Sequence, residues 1–199
     1  MPINTRKLFS ESLTIILSVL FALFINEWRN SYNENKRTQV ILENIKQEMQ
    51  ENQALTKQLF DYHSTVRHTI KNALDQDSLE ASFFSDGVFD LSKAAPNGII
   101  QKHYKNIAWE VAKEARITNR INFKLSTSLF DVYTQQQIVH TTIYRIGSFF
   151  SDRRIHQKAL LHENMVALNA EFNLLVGQQQ YLLDKFEIAI KQLHMKNSN

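Results

Sequence analysis

The sequence has no cysteine, two prolines and four glycines in 199 residues. Without cysteine there is no disulfide framework, no thiolate metal site and no cysteine nucleophile. A chain without thiols suits either side of a membrane. Scarce Gly and Pro leave few helix breakers, so the composition predicts long helices joined by few tight turns. An excess of one charge is missing too. The net charge is +3, too slight to point to nucleic acid. No phosphate loop, Rossmann glycine pattern, kinase signature, HExxH pair or local nucleophile motif occurs. These absences predict a non-enzymatic chain with no cofactor and no nucleic-acid partner.

What is present is one apolar run. From residue 13 to 25 nothing is charged, and only Thr14 and Ser18 are polar. A membrane-spanning helix needs roughly 20 mostly apolar residues to cross about 30 Å of hydrocarbon. Residues 8–28 meet that length. Arg6 and Lys7 flank one end, and Trp28 and Arg29 the other, where an aromatic ring and a cation suit the headgroup layer. Three other assignments compete. A signal peptide has an apolar core of this length, but no small-x-small cleavage pattern follows. A surface-lying amphipathic helix needs a polar face, which residues 13–25 lack. The core helix of a soluble domain is the third.

The rest divides by pattern. Residues 1–7 form a short tail and residues 8–28 the spanning helix. Residues 29–39, RNSYNENKRTQ, form a polar neck, either a continuation of the helix or a flexible linker. Residues 40–199 hold about 160 residues, enough for one domain with a core. Within it, three stretches place apolar residues at alternating steps of three and four, the spacing of a buried helical seam. The first runs from Leu42 through Ile45, Met49, Asn52, Thr56, Leu59, His63, Val66 and Ile70 to Ala73. The second runs from Leu125 to Phe150, the third from about Arg154 to Leu193. A short helix over 102–115 offers Ile107, Ala108, Val111, Ala112 and Ala115 as its apolar face. Residues 75–99, with Gly87, Gly98, Pro96 and five acids, read as an irregular loop. The predicted fold is all-α: an N-terminal transmembrane helix, then an elongated antiparallel bundle of three long helices and one short helix.

Several residues are functional candidates. Glu11 stands near one end of the apolar run, where an ionisable group is costly unless it reaches headgroup water. It joins Trp28 and Arg29 as a membrane-interface residue. Phe83, Phe84 and Phe89 make the loop aromatic-rich and are candidate partner contacts. His63, Gln136 and Gln179 fall on seam positions, as a polar bundle layer that fixes register or lines a small pocket. His63 and His140 are close enough to the seams to meet across the bundle, although a hydrogen-bonded core histidine is the commoner outcome. Arg116, Arg120, Lys124, Arg153, Arg154 and Lys158 are candidate contacts for anionic headgroups or an acidic partner.

The anchor and its exit resemble a family of bacterial single-pass membrane proteins of unknown function. Its pattern is an acidic residue opening the membrane helix, an alanine-leucine-x-isoleucine-asparagine-x-tryptophan-like close, and a charged helix with a leucine-glutamate-asparagine-isoleucine element. Glu11, then Ala22, Leu23, Phe24, Ile25, Asn26, Glu27 and Trp28, and finally Leu42, Glu43, Asn44 and Ile45 match it. The glycine usual in the family's membrane run is missing. The resemblance implies topology and not chemistry: an inner-membrane protein with its helical domain on the periplasmic side. Two roles are expected from these observations. The first is an interaction or scaffold subunit at the bilayer, bound to a protein partner or to its own copies. The second is a periplasmic ligand-sensing bundle that signals through a membrane partner.

Overall fold

The computed structural model describes residues 5–85, 87–99 and 102–197. The described chain is mostly helical, in keeping with its scarcity of helix breakers. The first helix, α1, is Thr5–Asp75 and contains neither Gly nor Pro. Its 71 residues extend about 107 Å at 1.5 Å per residue. The neck is therefore helical, and the flexible-linker alternative does not hold. With helix on both sides and no breaker between, residues 29–39 continue the hydrogen-bond ladder. Thr38 donates its hydroxyl to the Glu34 carbonyl within it.

The second half of the chain adds α4 (Phe123–Phe149) and α5 (Leu161–Asn197). Between α1 and α4 lie a one-turn helix α2 (Leu79–Phe83), a two-stranded hairpin of β1 (Phe84–Ser85) and β2 (Val88–Phe89), and the short helix α3 (Ile107–Glu114). The α5 helix starts later than its pattern predicts. Residues 153–160 form two 3-10 turns instead, the first capped by the Asp152 side chain accepting from the Arg154 N–H.

The three seams form one core. Every seam position of α1 from Leu42 to Ala73 is buried, and so is every α5 position of the spacing from Leu161 to Leu193. On α4 the seam is buried from Leu125 to Ile146, and Phe150 is half-buried. Helix α5 is the shared partner, packing against both α1 and α4. His63 meets Gln179 and Arg67 meets Asn173, so α5 runs antiparallel to α1. Asp131 meets Lys185 and Arg145 meets Glu171, so α5 also runs antiparallel to α4. With α5 antiparallel to both, α1 and α4 run parallel. The physical reason is the connection between them, which descends the whole bundle before α4 begins.

That descent is pinned to α1 rung by rung. Tyr62 donates to the Gly98 carbonyl at 2.8 Å, and Thr56 reaches the Tyr104 hydroxyl at 3.3 Å. Asn52 pairs with the Lys105 backbone through both amide atoms, at 2.7 and 3.0 Å. Glu48 accepts from the Ala108 N–H at 2.9 Å. Helix α3 then wedges in beside α1, and the chain turns at Arg116–Arg120 into α4. At this end Arg120 forms an ion pair with Glu34 at 2.8 Å.

Below Glu34 the helix stands alone. Every described side chain from Leu13 to Asn33 is exposed. This stretch of α1 is long and apolar enough to cross a membrane, and none of its apolar window is buried inside the fold.

Candidate functional site

The predicted polar layer is only partly assembled. His63 and Gln179 face each other from α1 and α5, with the His63 Nδ1 to Gln179 Oε1 distance at 3.2 Å. Both are buried, and the His63 ring lies against Phe172 and Tyr62. The carbonyl-type partner selects the tautomer with its proton on Nδ1. Burial pushes the His63 pKa below its ordinary value, and the Gln179 bond opposes that shift. A neutral ring follows near neutral pH. His63 Nε2 and Gln179 Nε2 are buried without a protein hydrogen-bond partner. Gln136 does not join them. It is buried on α4, where its Nε2 also lacks a protein partner, and it faces a separate cleft. His140 pairs with His103 instead of His63, Nε2 to Nδ1 at 3.0 Å.

The cleft lies between the descending segment, α3 and α4, with a volume of about 580 Å³. Its inner wall is aromatic. Trp109 from α3 stacks on Tyr133 from α4, with ring centres 5.0 Å apart and planes 6° apart. Phe130 borders the same space, His103 and His140 stand at one side, and Glu110 pairs with Lys113 at the other. Behind the stack lies Glu48. Its carboxylate accepts from the Tyr133 hydroxyl at 2.7 Å and from the Ala108 N–H at the first turn of α3. The α3 N-cap residue, Asn106, makes no side-chain cap bond, so α1 supplies the cap in its place. Burial first, and then the bond to the Glu48 carboxylate, push the Tyr133 pKa far above the usual phenol range. Tyr133 therefore stays protonated and acts as a donor. Such an arrangement holds α3 rigidly and presents flat apolar walls with a buried amide between them. Among the described residues, no three His, Asp or Glu side chains gather closely enough to hold a metal ion.

The loop packs down, as its apolar residues lead one to expect, and this corrects the choice of its phenylalanines as partner contacts. Phe83 and Phe89 are buried rather than displayed, and Phe84 is half-buried. The Phe89 ring lies 6.4 Å from Phe83 and 6.2 Å from Phe150, and its backbone N–H donates to His156. The hairpin folds its own aromatics onto the far end of the bundle because that end would otherwise expose the core. The predicted face of α3 is met in part: Ala112 is buried and Ala108 and Ala115 are half-buried, while Ile107 and Val111 are exposed and Trp109 is buried in their place. At the other end of the molecule Trp28 and Arg29 are fully displayed. Glu11 belongs to α1, but its side chain lies outside the described residues.

Glu48, Trp109 and Tyr133 were not singled out from the sequence. A signal existed for Glu48, which starts a row with Asn52 and Thr56 at steps of four. That spacing places all three on one ridge of the helix. No protein-family model, no curated protein and no solved structure matches this chain.

Proposed function

We propose that this chain is a single-pass, membrane-anchored, non-enzymatic helical protein. Its bundle serves as an interaction or scaffold subunit close to the bilayer, for a protein partner or a second copy. The observation that carries the reading is the bare lower part of α1. Ten large apolar side chains between Leu13 and Ile25 are exposed there. Burying a fully exposed side chain of this kind contributes about 1.5–3 kcal/mol. These ten are 44–68% exposed, so the sum is roughly 8–17 kcal/mol, as large as the whole stability of an ordinary domain, about 5–15 kcal/mol. A partner helix covers one stripe of such a rod, whereas hydrocarbon covers all of it. The resemblance of residues 11–45 to bacterial single-pass proteins supports the inner membrane, with the bundle on the periplasmic side.

The anchor is tested by alkaline extraction of membranes from cells expressing the full chain. The protein stays with the pellet, and Leu17→Lys with Leu20→Lys releases it. Recovery of the unaltered chain in the supernatant refutes the anchor. A reporter fused after Asn199 reads the side of the membrane. Extraction in mild detergent then recovers a stoichiometric partner or a defined oligomer; a strict monomer counts against the scaffold role.

One observation favours a second reading, ligand sensing. The cleft beside Trp109 holds the buried Gln136 amide without a protein partner. A sensing site on this bundle would lie there and not at His63 and Gln179. Thermal stabilisation by a small metabolite that Gln136→Leu abolishes supports this reading. No stabilisation across a broad screen removes it.

A further inference from the structure

The six basic candidates of the sequence do not form one surface. Arg153, Arg154 and Lys158 follow α4 at the far end of the bundle, whereas Arg116 and Arg120 precede it and Lys124 lies in its first turn. The 27 residues of α4 separate the groups by about 40 Å. The far group is largely neutralised, Arg154 by Asp152 and Lys158 by Glu80. The near group is not. Arg116 and Lys124 are exposed and make no ion pair among the described residues, and Arg120 is engaged by Glu34 alone.

Phe123 stands beside them. It is the first residue of α4 and is 87% exposed. Asn122 already supplies the helix cap by accepting from the Leu125 N–H, so Phe123 contributes nothing visible to the fold. Arg116 adopts a left-handed backbone, with φ at 53°. That conformation is uncommon for a non-glycine residue and marks the turn that carries the cation.

Height decides what this surface faces. Arg120 contacts Glu34, which lies six residues above Trp28 on the same helix, about 9 Å along its axis. The screening length at physiological salt is about 8 Å. An exposed ring beside cations at that height is the composition of an interfacial contact. Arg37, exposed on α1, adds a further positive charge, and Glu114 is the acid adjoining the turn.

We propose that the bundle end formed by Arg116, Arg120, Phe123 and Lys124 is a second membrane contact, docking on the anionic headgroups of the bilayer that holds α1. The proposal rests on the anchored reading. The contact gives the bundle a second point of attachment besides α1.

The absence of cysteine makes the test direct. Asn119→Cys places one label on the turn, and Ser151→Cys places a control label at the far end. Labelled full chain is incorporated into vesicles of phosphatidylcholine, with or without phosphatidylglycerol, that contain a lipid-borne quencher. The Asn119 label is quenched in the anionic vesicles and the Ser151 label is not. Arg116→Gln with Lys124→Gln lowers the docked fraction by up to roughly fivefold per cation. High salt and Phe123→Ser lower it too. Quenching that is equal in neutral and anionic vesicles, or unchanged by the double substitution, overturns the proposal. So does loss of a soluble acidic protein partner on that substitution with no change in quenching. Failure of the anchored reading shows separately, as chain that floats with neither vesicle, and overturns both.

Discussion

Replacing Glu48 is the most direct test of how the cleft is built. Its carboxylate is buried and accepts two hydrogen bonds, from the Tyr133 hydroxyl at 2.7 Å and the Ala108 N–H at 2.9 Å. Hydrogen bonds to a charged group contribute about 1.5–3 kcal/mol each. Glu48→Ala removes both and leaves the Tyr133 hydroxyl without an acceptor. Part of the loss is offset because the carboxylate no longer has to be desolvated. The expected cost is about 3–4 kcal/mol. Tyr133→Phe removes one bond and leaves Glu48 its other donor, so about 1–2 kcal/mol is expected. The two changes share an interaction and are therefore not additive. A double-mutant cycle gives a coupling of about 1–2 kcal/mol. The assay is urea unfolding of the full chain in mild detergent, followed by helical circular dichroism and by tryptophan fluorescence. The latter reports on Trp109 once Trp28 is replaced by Phe. Glu48→Ala shifts the fluorescence transition to lower urea than the dichroism transition, since α3 loses its cap before the long helices part. A cost below about 0.5 kcal/mol, or a coupling near zero, refutes the idea that Glu48 holds α3 in place.

Three further outcomes follow from the core. Burial holds the His63 pKa in the folded chain below its ordinary value, so the unfolded chain takes up a proton first as pH falls. Stability is then fully retained above about pH 6.5 and lost below it, by at most about 1.4 kcal/mol per pH unit. The difference between wild type and His63→Leu across that range isolates this effect; parallel pH profiles refute it. Gln179→Leu alone leaves the His63 Nδ1–H buried without an acceptor and costs about 1–3 kcal/mol, whereas His63→Leu with Gln179→Leu is near neutral or stabilising. Equal losses in the single and double variants, measured by chemical denaturation, contradict this. Trp109→Ala removes the ring stacked on Tyr133 and costs about 3–5 kcal/mol, read as a drop in the thermal midpoint. A change within the scatter of surface substitutions shows that α3 is not packed as described.

The long seams were legible because a repeated step of three and four leaves one phase over many turns. Each α5 seam residue from Leu161 to Leu193 is buried as its spacing predicts. The same reasoning is ambiguous over two turns, which is why Ile107 and Val111 looked like the inner face of α3. The bulk of Trp109 and its stack on Tyr133 set the rotation instead. Helix direction was hidden as well. Residues 76–122 are long enough to return the chain to either end of α1, and only the rungs at Tyr62, Thr56, Asn52 and Glu48 settle which. The apolar content of the loop pointed to a segment that packs down, and Phe83 and Phe89 are buried; their choice as partner contacts failed because composition does not say which rings the packing consumes. The cleft was the least legible feature. Its stacked walls, Trp109 and Tyr133, are 24 positions apart in the chain, and no local pattern joins them to His103.

The unbroken course of α1 has a mechanical consequence. Between Trp28 and Asp75 the helix is a lever of roughly 70 Å. In the proposed anchored arrangement, a tilt of about 20°, ordinary for a single span, swings its tip sideways by about 24 Å. With no hinge residue along the shaft, small changes in bilayer thickness would be magnified into large sweeps of the hairpin at the tip. Thickness, set by lipid composition, would then govern how far this molecule reaches for whatever lies beside it.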